Sequence, residues 1–199
     1  MSESDSKSGT GSLAVAILVI FAAVAVYAFL MPSKAASSPR GYHALSSPAT
    51  PVRLVVPSLK IRAPILPIEV NDQQILDPPR NPRDIGWWQR SARPGAAKGQ
   101  TVLTGHTVHT GGGVMDQLGK LHKGKVVKVV TPKGTMQYRT TRVVTWTKDE
   151  LAKRAVALFA QKRPNPRLVL ITCSGWTGSY YTSNIVVFAK PLGVRERKA

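Results

Sequence analysis

Cysteine is nearly absent: Cys173 is the only thiol in 199 residues. That excludes an intramolecular disulfide and a thiolate metal cluster. A lone cysteine is either a small buried hydrophobe or a reactive thiol, and outside the cell an idle thiol is exposed to oxidation. Acidic residues are scarce as well, with 10 Asp and Glu against 28 Lys and Arg, a formal net charge of +18. Such a surface attracts nucleic acid, anionic lipid or another polyanion, and charge alone does not choose among them. No acidic cluster is arranged for calcium. No GxxxxGK[ST] or GxGxxG loop, HExxH pair or zinc-finger spacing is present, and no internal repeat. Neither a cofactor nor a metal is therefore expected.

What is present begins with an uncharged run, Leu13 to Met31, of 19 almost wholly apolar residues. At ~1.5 Å per residue it approaches the ~30 Å hydrocarbon core, so a transmembrane helix over 13–31 is predicted. The run is longer than the ~7 to 15 residues of a signal-peptide core. Flanking charge is weak: Glu3, Asp5 and Lys7 precede it, and Lys34 and Arg40 follow. This pattern leans slightly against an exported body. Residues 1–12 are expected to form a disordered cytoplasmic tail, and the Ser-, Pro- and Ala-rich segment 32–51 a linker. The folded body is placed at 52–189, with a basic tail at 190–199.

Within the body, short β-prone runs alternate with Pro and Gly. Strands are predicted at Val52–Val56, Lys60–Ile68, Gln100–Thr104, Arg167–Thr172 and Asn184–Lys190. A hairpin is expected from Lys125–Val130 and Gly134–Trp146 around Thr131-Pro132-Lys133-Gly134. Only Asp149–Lys162 has helical spacing, through Leu151, Ala155, Leu158 and Phe159, with Asp149 as a capping residue. A helical turn is expected within Val114–Leu121. So many strands with so little helix indicate an all-β barrel or sandwich with short helices.

Two strand ends carry chemistry. Leu168 to Thr172 delivers Cys173 into the polar Ser174-Gly175, and Val102-Leu103-Thr104-Gly105 delivers His106. If the two ends meet at one rim, imidazole and thiol are joined across 67 residues of chain. A thiol of ordinary pKa near ~8.5 is mostly protonated at neutral pH, and a neighbouring cation favours the thiolate. His109, before the Gly111-Gly112-Gly113 run, is the rival partner; His122 lies among lysines and His43 in the expected linker.

Leu170-Ile171-Thr172-Cys173 resembles the TLxTC-type signature of the sortases, with Val169 in place of the leading threonine. Val56-Pro57-Ser58-Leu59, Gly86-Trp87-Trp88 with Arg93-Pro94-Gly95, Leu103-Thr104-Gly105-His106 and Asn184 to Ala189 resemble further family segments in the right order. Thr172 to Gly175 and Ser183 to Ala189 are most similar to the actinobacterial class F enzymes, with class E less close. The resemblance implies an eight-stranded sortase β-barrel on the outer side of the membrane. It also implies a cysteine transpeptidase whose partners are secreted proteins with C-terminal LPxTG-type signals and a peptidoglycan-precursor amine, and no nucleic acid. Cys173 would attack the Thr–Gly carbonyl, and His106 would protonate the departing amine.

One family position departs. The arginine expected two residues before Asn184 is Thr182 here, followed by Ser183. Oxyanion stabilisation or substrate positioning would then fall to backbone N–H groups, Thr182, Asn184, Arg142 or Arg139. Thr172, Trp176, Tyr180 and Tyr181 are candidate groove residues, whereas Trp87 and Trp88 are better read as packing. The competing expectations are a degenerate or hydrolytic relative, prompted by Thr182, and a non-catalytic, membrane-tethered polyanion-binding module, prompted by the charge.

Overall fold

Val126–Thr131 alternates strictly between half-buried and buried positions, the period-two signature of a strand with one face on a core. It is one of nine strands in a computed structural model that describes residues 39–195 apart from Gln74. In chain order they are β1 (Tyr42–His43), β2 (Arg53–Val56), β3 (Ile61–Ile68), β4 (Ile85–Trp88), β5 (Gln100–Gly105), β6 (Val126–Thr131), β7 (Gly134–Thr147), β8 (Arg167–Trp176) and β9 (Tyr181–Arg195). The hydrogen-bonded order is β1-β9-β7-β6-β2-β3-β4-β5-β8, and β8 also pairs with β9. That last pairing closes eight strands into a barrel, with β1 riding on β9. Closure removes the exposed edges of an open sheet.

Most neighbours are antiparallel, but β3 with β4 and β5 with β8 run parallel. The barrel interior is filled by Leu54, Val56, Ile85, Leu103, Val129, Leu168, Leu170 and Val187 among others. A second cluster, Val102, Val169, Ile171, Val186 and Phe188 with Leu158, covers the outside of β5, β8 and β9. Two short helices, α1 (Lys148–Lys153) and α2 (Ala155–Phe159), lie on that outer face. Gln100 ties α2 down, its amide donating to the carbonyls of Ala157 and Ala160 at 3.0 Å each.

The predicted strands form, and several run longer than expected. Asp149–Lys162 is two helices rather than one, broken at Arg154, and the cap is Thr147, not Asp149. The Thr147 hydroxyl accepts from Glu150 N, and the Glu150 carboxylate accepts from Thr147 N, a reciprocal capping box. The expected turn within Val114–Leu121 narrows to a 3₁₀ turn at Leu118–Lys120. Gly86-Trp87-Trp88 forms most of β4; Trp87 is buried in the core and Trp88 meets Phe159 edge-on.

The segment expected as linker is part of the folded body from Tyr42 onward. β1 pairs with Arg195 and Val194, Leu45 and Ala49 are buried, and Ala49 N donates to Pro94 O. The expected basic tail is likewise strand to Arg195, with Leu192 buried. Few apolar residues interrupt these polar stretches, so their docking leaves only a faint sequence signal. The tail 1–12 and the apolar run 13–31 lie outside the described residues. Among the described residues no helix is long and apolar enough to cross a membrane.

Candidate active site on the outer face of the barrel

Strand alternation sets the site. Along β8, Leu168 and Leu170 point into the barrel, while Val169 and Ile171 point out into the second cluster. Cys173 continues the outward row. On the parallel neighbour β5, Thr104 pairs with Ile171. The register ends there, and His106 and Cys173 each follow two residues after that pair on neighbouring strands. Between them, the buried Thr172 hydroxyl donates to Gly105 O at 2.7 Å and meets the Thr107 hydroxyl at 2.7 Å. Its single hydrogen goes to the carbonyl, so Thr107 is the donor in the second bond. Thr172 therefore fastens the two strands from inside the barrel; it does not line a groove, as had been expected.

Cys173 is also not at a strand end. β8 continues to Trp176, pairing Cys173 with Asn184, Ser174 with Ser183 and Trp176 with Tyr181. The polar, glycine-containing run after Cys173 conceals this hairpin in the sequence. Gly175 sits at φ +71, a left-handed conformation that favours glycine.

His106 is fixed at both ends. Its carbonyl accepts from Met115 N at 3.0 Å. Its Nε2 lies 2.8 Å from Pro79 O, in the loop between β3 and β4. A carbonyl only accepts, so Nε2 donates in this bond and Nδ1 is the ring nitrogen it leaves free. Among the described residues, no hydrogen bond joins the imidazole to the thiol. Burial pushes the Cys173 thiol above its ordinary value; the Lys148 charge opposes this and the Asp77 charge adds to it.

The rival His109 is engaged elsewhere. Its ring stacks on Trp176, with centroids 4.1 Å apart and planes 5° from parallel. Trp176 in turn packs on Tyr181 at 5.0 Å. Trp176 and Tyr181 pair across the hairpin beyond Cys173. Burial, then the Cys173 and Asp116 charges, raise the Tyr181 phenol, while the His109 backbone opposes them. Its hydroxyl is buried without a well-aligned partner. The glycine run next to His109 is held by Asp116, whose carboxylate accepts from Val108 N at 2.7 Å and Gly113 N at 3.0 Å.

The remaining candidates separate by register. Asn184 is level with Cys173 and donates to Thr172 O at 3.3 Å. The Thr182 hydroxyl donates to Gly175 O at 3.0 Å, closing the hairpin. Arg142 pairs with Phe188, four positions along β9 from Asn184, and Arg139 pairs with Lys190, beyond it. At ~3.3 Å per residue both backbones are more than about 10 Å down the sheet from the thiol.

Lys148, which the sequence reading missed, is nearer. It follows Thr147, the partner of Ser183, and its Nζ lies 5.9 Å from the centroid of the exposed Tyr180 ring. The Thr147-to-Glu150 capping box was legible as a helix start; that this start docks beside Cys173 was not. No group of three or more His, Cys, Asp or Glu able to hold a metal occurs among the described residues.

Comparison with known proteins bears on the fold and the family. The sortase-domain family model matches residues 54–192, more than half of the chain. The chain belongs to the sortase family. No curated protein matches the sequence. Among solved structures, sortase A from Corynebacterium diphtheriae is similar with a TM-score of 0.59 at 15% identity, over 76% of this chain and 65% of that one. Sortase C-1 from Actinomyces oris is similar with a TM-score of 0.55 at 20% identity, over 88% of this chain and 97% of that one. A pilus-related sortase C of Group B Streptococcus has a TM-score of 0.55 at 19% identity, over 74% and 69%. This sortase thus spans just under two thirds of the Corynebacterium chain. At such identities the likeness is one of fold.

Proposed function

We propose that this sortase is a membrane-anchored cysteine transpeptidase acting on LPxTG-type sorting signals of secreted proteins. The observation that supports the reading is the parallel β5–β8 register, in which Thr104 and Ile171 pair two residues before His106 and Cys173. The Cys173 thiol passes its proton to His106 as Sγ attacks the carbonyl carbon of the Thr–Gly bond. The bond to the glycine nitrogen breaks, and the amine leaves with a proton from His106, giving a thioacyl enzyme. An incoming amine, of a cell-wall precursor in this reading, loses a proton to His106 and displaces the thiol, forming a new amide. Anchoring through residues 13–31 would hold the catalytic body at the outer membrane surface. The class F assignment rests on the motifs alone.

In place of the family arginine, Lys148 is the cation best placed to favour the thiolate and the oxyanion. It enters from the β7–α1 junction rather than from β9. Hydrolysis of the thioester is the second reading, favoured by Thr182 at the arginine position. Both are tested by incubating the full chain with an LPxTG-type peptide and following intact mass. An adduct that requires Cys173 and His106, and that an added amine converts to ligated peptide, supports transpeptidation. An adduct that only water resolves supports hydrolysis. No adduct with LPxTG or LAxTG peptides overturns both.

A further inference from the structure

A cavity lies on the same outer face, running from Trp146 down the sheet to Arg142 and Arg167. It encloses about 350 Å³ between β7, β9 and the helices, and Arg142, Arg154, Arg167, Trp146 and Phe188 line it. The row that runs outward on β7 reaches it at Arg142, four residues before Trp146, which is level with Asn184 and hence with Cys173. Four residues of strand, about 13 Å, set Arg142 below that level, and β9 lies between the Trp146 end of the cavity and the cysteine strand.

Three guanidiniums converge here, positioned by aromatic rings rather than by acids. The Arg154 carbon stands 4.8 Å and the Arg142 carbon 5.9 Å from the Trp146 centroid. The Arg167 carbon stands 4.4 Å from the Phe188 centroid, and the two rings meet edge-on at 6.0 Å. Among the described residues, the single salt bridge joins Arg90 to Glu69. Donors remain open: Arg154 gives one bond, to Glu150 O, Arg167 gives bonds to Gln100 Oε1 and Ala157 O, and Arg142 gives none. Burial and the Arg163 charge push Arg167 down to about 10, so it stays charged at neutral pH with no anion beside it. Stacked, unneutralised guanidiniums with free forks match the oxygens of a tetrahedral oxyanion. Like charges gathered around one hollow also favour a multiply charged guest over a monovalent one.

We propose that the Arg142–Arg154–Arg167 cavity is a binding site for a phosphate-type oxyanion, a diphosphate or a phosphodiester, separate from the Cys173 site. This inference does not depend on the transpeptidase reading. The volume exceeds that of one phosphate group and leaves room for the substituent that carries it.

The test is calorimetric titration of the full chain in a neutral detergent with inorganic pyrophosphate, a short glycerol-phosphate oligomer and citrate. Pyrophosphate or the oligomer should bind, and Arg142→Ala or Arg154→Ala should weaken binding tenfold or more. Arg62→Ala, an exposed charge on β3, should leave it unchanged. Stronger binding of pyrophosphate indicates a diphosphate-linked ligand, and stronger binding of the oligomer a phosphodiester polymer. Equal loss in Arg62→Ala would reduce the effect to the general +18 field and overturn the site. So would citrate binding as tightly as either phosphate compound, or no binding of either.

Discussion

The Nε2 of His106 lies 2.8 Å from the carbonyl oxygen of Pro79, and Asp77, two residues before that proline, adds its charge to the field at Cys173. The β3–β4 loop therefore bears on both reacting groups. Asp77→Asn removes a charge that raises the thiol, so the thiol pKa falls and the thiolate fraction at pH 7 rises. Alkylation by iodoacetamide should accelerate a few-fold at pH 7, with its pH profile moving to lower pH. An unchanged profile would show that Asp77 has no electrostatic hold on the nucleophile.

Lys148→Ala has the opposite sign. Loss of a cation that lowers the thiol moves the alkylation profile to higher pH, and the wild-type profile itself should have its midpoint above the ordinary ~8.5 of a free thiol. If Lys148 also faces the oxyanion, kcat/KM for peptide cleavage falls by about 10²–10³, the usual cost of one oxyanion donor. Lys148→Arg should restore most of it.

His106 and His109 are separable by substitution. His106→Ala should lower kcat by about 10²–10⁴, the range for a lost general acid–base group. His109→Ala removes a ring stacked on Trp176 and should leave kcat within about tenfold, its effect falling on stability and peptide affinity. Steady-state kinetics on both variants with one peptide decides between them.

Thr172→Val keeps the shape of a buried side chain but removes both hydroxyl bonds between β5 and β8. Leaving Gly105 O and the Thr107 hydroxyl unpaired should cost about 1–3 kcal/mol, read as a lower urea midpoint at constant slope. Because the same bonds set the register of His106 against Cys173, activity should fall even where the protein is fully folded.

Leu45→Ala tests whether the segment before β2 is structural. Leu45 is buried and packs where added Cβ atoms on Gly95 and Gly134 would meet it at 3.0–3.1 Å. Removing its buried side chain should cost about 2–5 kcal/mol, whereas a solvated linker residue would cost almost nothing. Chemical denaturation distinguishes the two.

Much of this molecule was legible along the chain. Pro/Gly punctuation marked β2, β3, β5, β6 and β7, and in β6 a single buried face writes its alternation into the sequence. The cysteine and histidine strands stood out by composition and by likeness to a family, and their order along the chain was enough to place a barrel. The hairpin beyond Cys173 and the docking of 42–51 were hidden. Polar and glycine-rich residues there form structure through pairing with distant segments, which no local period records.

The sequence by itself determined the strands, the lone cysteine and the excess of positive charge. Only the tertiary structure decided which face each side chain takes, and that followed from register. Parallel pairing of β5 with β8 brought the histidine and cysteine strands together, while His109 came to stack on Trp176. Antiparallel pairing of β7 with β9 brought Lys148 to the site and carried Arg142 away from it, into a hollow with two other arginines. A side chain's partners, and with them its charge state, depend on contacts between strands remote in sequence, and those are settled only when the barrel closes.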